Sequence, residues 1–235
     1  MLGGSHALSG LVSGTATGIA LKMGTEQTAA LAGFTAGMAL LPDLDSVGSC
    51  CSRSLGWLSK GAAYVIRFVS GGHRHATHSI LGIAAFTVLA GLACYFRHDD
   101  VGRAGLALLI ALSVAGGVEA LRFARGWMAD LAGVAVAAGV VFWGYGLSLI
   151  PLAVLVGCST HIAGDMLTDS GCMLAYPLSQ YRWHLLPRPM RITTGATPER
   201  VIVDPLLIAI LGGLALWVAD PAIELSAWAY TMHVI

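Results

Sequence analysis

Charge is what this chain has least of. Of 235 residues, 11% are Asp, Glu, Lys or Arg and 56% are hydrophobic, where an ordinary soluble domain carries about 25% charged residues. Mean hydropathy is +0.75. A surface wetted on every side cannot be built from that composition, which excludes a soluble globular domain. Net charge is zero, so the basic field that nucleic-acid binding needs is missing too, and no nucleic-acid partner is expected. There is no C-x-x-C pair and no disulfide framework among the five cysteines, Cys50, Cys51, Cys94, Cys158 and Cys172. The adjacent Cys50 and Cys51 could ligate a soft metal, but reduced thiols near a cytoplasmic face are the simpler expectation. No linker, charge block, internal repeat or low-complexity tract divides the chain, so residues 1–235 read as a single integral membrane domain. No Lys or Arg precedes the first apolar run, so the charged start of a signal peptide is missing and that segment is expected to stay in the mature protein.

What the sequence does have is long apolar runs. A helix that crosses a bilayer needs about 20 mostly apolar residues, with a range near 17–25. Seven segments qualify as candidates, near 6–22, 26–42, 78–96, 104–121, 128–146, 148–167 and 202–219. The expected fold is therefore all-α, a polytopic membrane bundle of about seven transmembrane helices plus interfacial ones. The first two segments are rich in Gly, Ala and Thr, which suits closely packed helix interfaces. Residues 52–70 have the mixed polarity of an interfacial amphipathic helix, and the tail 221–235 could form another.

With seven crossings, ten of the Lys and Arg residues fall on the side of the N-terminus and three (Lys22, Arg97, Arg103) on the other. The positive-inside rule then places the N-terminus in the cytoplasm and the C-terminus outside. Metal-ligand residue types gather on that same cytoplasmic side, although the topology was drawn from Lys and Arg alone. His6 opens the first segment. Asp43 and Asp45, in LLPDLDS, close the second, where a broken backbone can face an aqueous cavity. His73, His75 and His78, in GGHRHATHS, precede the third. His161 and Asp165, in STHIAGDMLTDSG, end the sixth, and their spacing of four puts both on one helix face, with Thr168 and Asp169 extending it.

A His beside a carboxylate at this spacing can ligate a hard or borderline metal. Thr77 is expected to cap the third helix, placing His78 on its first turn beside backbone N–H groups suited to an anion. Taken singly, His6 could be merely interfacial, and Asp43 and Asp45 could only mark a helix end. Ionisable groups inside a span are costly, so His161 and Asp165 are the stronger indication. His98, His184 and His233 lie off the cluster and read as structural.

The ordered motifs L-P-D-x-D-S, H-R-x-x-T-H-S and H-x-x-x-D-M-L-T-x-x-G resemble the YdjM-type inner-membrane proteins, described as membrane-bound metal-dependent hydrolases. The resemblance runs from His6 to about Arg200. Residue by residue it implicates His6, Asp43, Asp45, His73, Arg74, Thr77, His78, His161, Asp165 and Thr168, and GATPER with Glu199 and Arg200 is similar to the family's last polar motif. His75 falls on a variable position of the pattern. The set is also similar, more loosely, to zinc-dependent phospholipase C and P1-type nucleases, although a second H-x-x-x-D is absent, which favours one or two ions over three.

These resemblances imply an inner-membrane hydrolase with one or two divalent ions, zinc first and manganese second. His6, Asp43, Asp45, His73, His78, His161 and Asp165 are the expected ligands. Asp45 or Asp169 is the expected general base or partner of a ligating His, and Arg74, Thr77 and Arg200 are the expected substrate contacts. The expected substrate is a phosphoester, lipid or lipid-linked, reached at the cytoplasmic face of the bilayer. Two other readings stay open, a transporter or metal carrier and a membrane stress-response protein whose metal only staples helices together. An intramembrane protease does not fit, since neither H-E-x-x-H nor G-x-S-x-G occurs.

Overall fold

Small residues set the centre of the molecule. In the computed structural model, which describes residues 1–220, α1 (Gly3–Ala20) and α2 (Thr25–Met38) form an antiparallel hairpin. Gly10, Gly14 and Gly18 lie four residues apart and so form one row on α1. A Cβ added at Gly10 or Gly14 would fall 2.7 Å from α2 backbone. Only glycine lets the two helices approach this closely, as in the small-residue interfaces of membrane helices. Gly157 makes the same kind of approach from the helix Ile150–Met166, its absent Cβ 2.7 Å from the Ala39 nitrogen. The helix α2 is thereby held between α1, the helix Asp100–Ala120 and the helix Ile150–Met166.

The remaining elements follow in up-and-down order. They are α3 (Cys50–Arg53), α4 (Trp57–Val69), α5 (Ile80–Tyr95), α6 (Asp100–Ala120), α7 (Trp127–Trp143), α8 (Ile150–Met166) and α9 (Asp204–Val218). Cross-links fix which ends meet. Thr25 donates to the Val218 carbonyl at one end of the bundle, while at the other Leu2 N–H donates to Glu199 and Arg53 pairs with Glu119. The core between these ends is apolar, with Leu31, Met38, Leu106, Ile110, Ile150 and Val154 fully buried.

Among the described residues the fold is helical, with two isolated β-bridges and no strand. Each of the seven apolar segments contains a helix. Among the described residues three stretches are long and apolar enough to cross a membrane by length and composition, Asp100–Ala120, Leu147–Met166 and Glu199–Val218; Ile80–Tyr95 and Trp127–Trp143 are apolar but shorter. Helix α2 has 14 residues, about 21 Å at 1.5 Å per residue against a hydrocarbon core of about 30 Å. Its chain is cut short by Pro42, which cannot donate to a continuing helix.

The outer helices are apolar where they face outward. Among the described residues nothing in α9 is buried, and Leu206, Ile208, Leu216 and Trp217 are exposed. Exposed apolar area on this scale marks a surface meant for lipid or protein rather than water. Helix α4 is amphipathic: Ser59 and Ala63 face the bundle, while Trp57, Tyr64, Val65 and Phe68 face out, as in a helix lying at an interface. The tail 221–235, with its expected helix and His233, lies outside the described residues.

Candidate metal centre

Four segments converge at the bundle end that carries the chain start. Helix α1 brings His6 on its first turn. The 3-10 turn Pro42–Asp45 follows α2 and brings both aspartates. The loop 71–75 and the 3-10 turn Ala76–His78 bring His73, Arg74, Thr77 and His78. The last turns of α8 bring His161 and Asp165. The loop can fold this tightly because Gly71 and Gly72 take positive φ of 81° and 125°, and Arg74 takes 64°, a conformation uncommon for a residue with a side chain. Arg74 is engaged at both ends: its backbone N–H donates to Asp45 Oδ2 (3.1 Å), and its guanidinium lies along Asp165, Nη2 3.3 Å from Oδ1.

Hydrogen bonding fixes which ring nitrogens are free. His161 Nδ1 sits 2.6 Å from the Ala39 carbonyl, which only accepts, so Nδ1 carries the proton and Nε2 keeps its lone pair. Thr77 donates its hydroxyl proton to Asp45 Oδ2 (2.5 Å), so its oxygen accepts from His78 Nδ1 (3.0 Å), and again Nε2 is left as an acceptor. These two Nε2 atoms face each other at 3.2 Å. Asp43 Oδ1 lies 3.5 Å from His78 Nε2 and 3.7 Å from His161 Nε2, and Asp165 Oδ2 lies 3.7 and 3.8 Å from the same two atoms.

His78 Nε2, His161 Nε2 and Asp43 Oδ1 therefore converge as three acceptors with no donor among them, and lone pairs so arranged repel, while Asp165 Oδ2 also has the Arg74 Nε at 3.2 Å. Atoms about 2.0–2.1 Å from a tetrahedral ion lie about 3.3–3.4 Å apart, close to the 3.2, 3.5 and 3.7 Å among these three. Among the described residues neither ring nitrogen of buried His6 has a hydrogen bond of good geometry, although Nε2 lies 3.3 Å from Asp165 Oδ1. Asp165 itself faces two cations of the chain, the Met1 ammonium 2.5 Å from Oδ1 and the Arg74 Nε 3.2 Å from Oδ2. Buried imidazole nitrogens left this way call for an explanation, and a bound metal ion would be one.

Among the described residues three overlapping groups could hold a metal ion: His6, His161 and Asp165; Asp43, His78 and His161; Asp43, Asp45 and His73. His6 stacks on His161 with ring centroids 3.7 Å apart. Burial alone would raise the Asp43 carboxyl, but the imidazoles of His161, His78 and His6 outweigh it and hold the group far below the ordinary carboxylate range, as an anion. The His73 ring is pushed up, first by its 2.6 Å hydrogen bond to Asp45, against the effect of burial. Burial across the cluster is uneven among the described residues. His78, His161 and Asp165 are sealed, while the side chains of Asp43, His73 and Arg74 are 20%, 34% and 15% exposed.

The model of the YdjM inner membrane protein family matches residues 1–232. The chain belongs to that family. No curated protein and no solved structure gives a significant match. Family membership agrees with the outward-facing apolar helices in making this an inner-membrane protein, and the His and Asp residues quoted for the resemblance are those the fold brings together.

Not every expected site residue joins them. Thr77 does not cap α5. Ser79 does, accepting from Gly82 N–H, because the Thr77 hydroxyl is committed to Asp45. His78 consequently precedes α5 instead of riding on its first turn. Thr168 is buried but bonds the Asp165 carbonyl. Asp169 lies beyond the end of α8 at Met166, exposed, with Thr193 donating to its carboxylate at 2.7 Å, so the shared helix face ends before reaching it. Arg200 is exposed and lines a separate cavity.

His75 packs beside Tyr176, outside the cluster, and His184 bonds the Asp169 carbonyl. Cys51 is a buried thiol pushed up to about 12 by burial, and so is no ready ligand. One residue mattered more than its position suggested. Glu199 is fully buried and accepts from both Leu2 and Gly195 N–H at 2.6 Å, fastening the start of α1 and with it His6. The GATPER segment was the only signal of it.

Proposed function

We propose that the protein is a membrane-bound hydrolase that uses one or two divalent ions, zinc or, second, manganese, on a lipid or lipid-linked phosphoester at the cytoplasmic face. The observation that carries this reading is the pair of acceptor nitrogens, His78 and His161 Nε2, facing each other at 3.2 Å between two aspartates. Asp43, His78 and His161 would hold a first ion, with His6, His161 and Asp165 on one side of it, or Asp43, Asp45 and His73 on the other, for a second. A bound divalent ion supplies Lewis acidity, making water more acidic and polarising a phosphoester oxygen.

The residues do the rest. Asp45 fixes the His73 ring through Nδ1 and, through Thr77, the His78 ring, the arrangement by which carboxylates orient ligating imidazoles. Where His73 is open to solvent, Asp45 can also accept a proton through that ring. Arg74 is placed to meet a negatively charged ester where the cluster is partly exposed. A catalytic site keeps an open position and a structural one is closed, and the exposure of Asp43, His73 and Arg74 supports the former.

Seven crossings with the cluster at the cytoplasmic face suit the same reading. The alternating helix directions support it, as do the ten Lys and Arg residues at the cluster end. So do Trp127 and Trp143 at the two ends of α7, where interfacial aromatics are expected. A structural ion that staples α1 to α8 is the second reading, favoured by the full burial of His6, His78 and His161.

One experiment separates the two. Purified protein, stripped with a chelator and reloaded with zinc or manganese, is assayed on a bis-aryl phosphate and on phospholipid micelles while its melting temperature is followed. Metal-dependent cleavage abolished by Asp45→Asn supports the hydrolase. A metal-dependent rise in melting temperature with no cleavage of any phosphoester would leave the staple in its place.

A further inference from the structure

A second feature lies outside the metal cluster but adjoins it. A cavity of about 860 Å³ opens where the start of α1, the end of α6 and the start of α9 meet. Arg53, Arg122, Arg125 and Arg200 line it at the cluster end of the bundle. Its carboxylates are Glu119, already paired with Arg53 at 2.8 Å, and Asp204. Four guanidinium groups against two carboxylates leave an excess of positive charge. Among the described residues, the guanidinium groups of Arg122, Arg125 and Arg200 make no ion pair or hydrogen bond. Asp204 has a buried carboxylate oxygen, Oδ1, without a hydrogen bond.

Below the arginines the walls turn apolar, with Leu8 and Leu11 from α1 and Ile208 and Leu211 from α9. From Asp204 to Leu211 the groove follows α9 for about 10 Å at 1.5 Å per residue. It is cationic at the level of the helix ends and apolar along the helix axis, which is the polarity of a lipid standing in its leaflet. A free phosphate or a soluble nucleotide would leave the apolar length unused. A second, smaller cavity of about 170 Å³ shares Gly3 and Cys50 with the first and is lined by Asp43 of the metal cluster.

We propose that the large cavity binds an anionic glycerophospholipid with a hydroxyl-bearing headgroup. Its phosphate lies among Arg122, Arg125 and Arg200, its headgroup hydroxyl donates to Asp204, and its chain lies against Leu8, Leu11, Ile208 and Leu211. The smaller cavity then links this lipid to Asp43. As a binding site the proposal stands alone; as the seat of the substrate it rests on the hydrolase reading.

The test is native mass spectrometry of the full-length protein after incubation with mixed micelles of equal phosphatidylglycerol and phosphatidylcholine. Wild type should retain about one phosphatidylglycerol and prefer it at least fivefold. The R122Q/R125Q double variant should lose roughly tenfold or more of that retention, since each basic residue near a membrane surface contributes about a factor of five toward anionic lipid. Ile208→Trp, which keeps the arginines but fills the apolar wall, should lose it too, whereas Arg97→Gln, outside the cavity, should not.

Equal retention of both lipids would overturn the proposal, as would undiminished retention by a folded R122Q/R125Q. Displacement of phosphatidylglycerol by millimolar inorganic phosphate would also overturn it, since an anion site alone would then suffice. His161→Ala should lose the metal and keep the lipid, so a failure of the metal reading leaves this test intact. Retention by wild type without cleavage by the metal-loaded protein would overturn the substrate half and no more.

Discussion

The two ends of the helix bundle carry similar residues and put them to opposite uses. At the far end, Arg97, His98, Asp99 and Asp100 make a string as rich in ligand types as GGHRHATHS. There the groups are splayed into solvent: Asp100 is almost fully exposed and pairs only with Arg103, three residues on. Such a pair is worth little. At the cluster end, His78, His161, Asp45 and Asp165 come from three separate segments and are sealed from water. Burying ionisable groups costs free energy unless they are matched; here hydrogen bonds orient His73, His78 and His161, His6 stacks on His161, and Asp165 pairs with Arg74, an arrangement that a metal ion would complete. Residue type is common to both ends, and convergence is what separates them.

The largest way to break the contrast is His161→Ala. It removes one of the two facing nitrogens, and we expect phosphoester cleavage by the reloaded protein to fall at least a hundredfold, measured against wild type at saturating metal. Next is Asp45→Asn, which keeps the shape but removes the charge that His73 and Thr77 lean on. Metal affinity, read by competition with a chromogenic chelator, should weaken about 10–100-fold. Gly14→Leu attacks the scaffold instead. Its side chain would meet Ala32 backbone and Thr35, so the α1–α2 hairpin must open, with a loss of about 1–3 kcal/mol in chemical denaturation and weaker metal binding through His6. The smallest effect belongs to the far end: a combined His98→Ala, Asp100→Ala variant should melt within about 1 °C of wild type and keep its full metal content.

How far the sequence reveals this contrast depends on the range over which each residue acts. The i, i+4 pair His161 and Asp165 is legible at once because one helix places both. So are Asp43 and Asp45 as a pair behind Pro42, but not their division of labour. In a 3-10 turn, residues two apart point about 240° around the axis, so Asp43 faces His78 and His161 while Asp45 turns to His73 and Thr77. The capping role expected of Thr77 fails for the same reason: its partner lies 32 residues away. Asp169 was reached by extending a helix that stops at Met166. Glu199 acts across 197 residues on Leu2, and Arg200, its neighbour, lines the large cavity instead of the cluster. Helicity was legible in all seven apolar segments, while the shortness of α2 depends on Pro42 and on the glycine rows that let α2 sit inside the bundle.

The central claim is that the cluster end holds an ion. Elemental mass spectrometry of the protein, purified in detergent without chelator, tests it most directly when wild type is compared with a His161→Ala, Asp165→Ala double variant. One or two zinc or manganese ions per chain in wild type, lost in the variant, is the result the account predicts. Wild type with no stoichiometric metal, even after reloading, would contradict it.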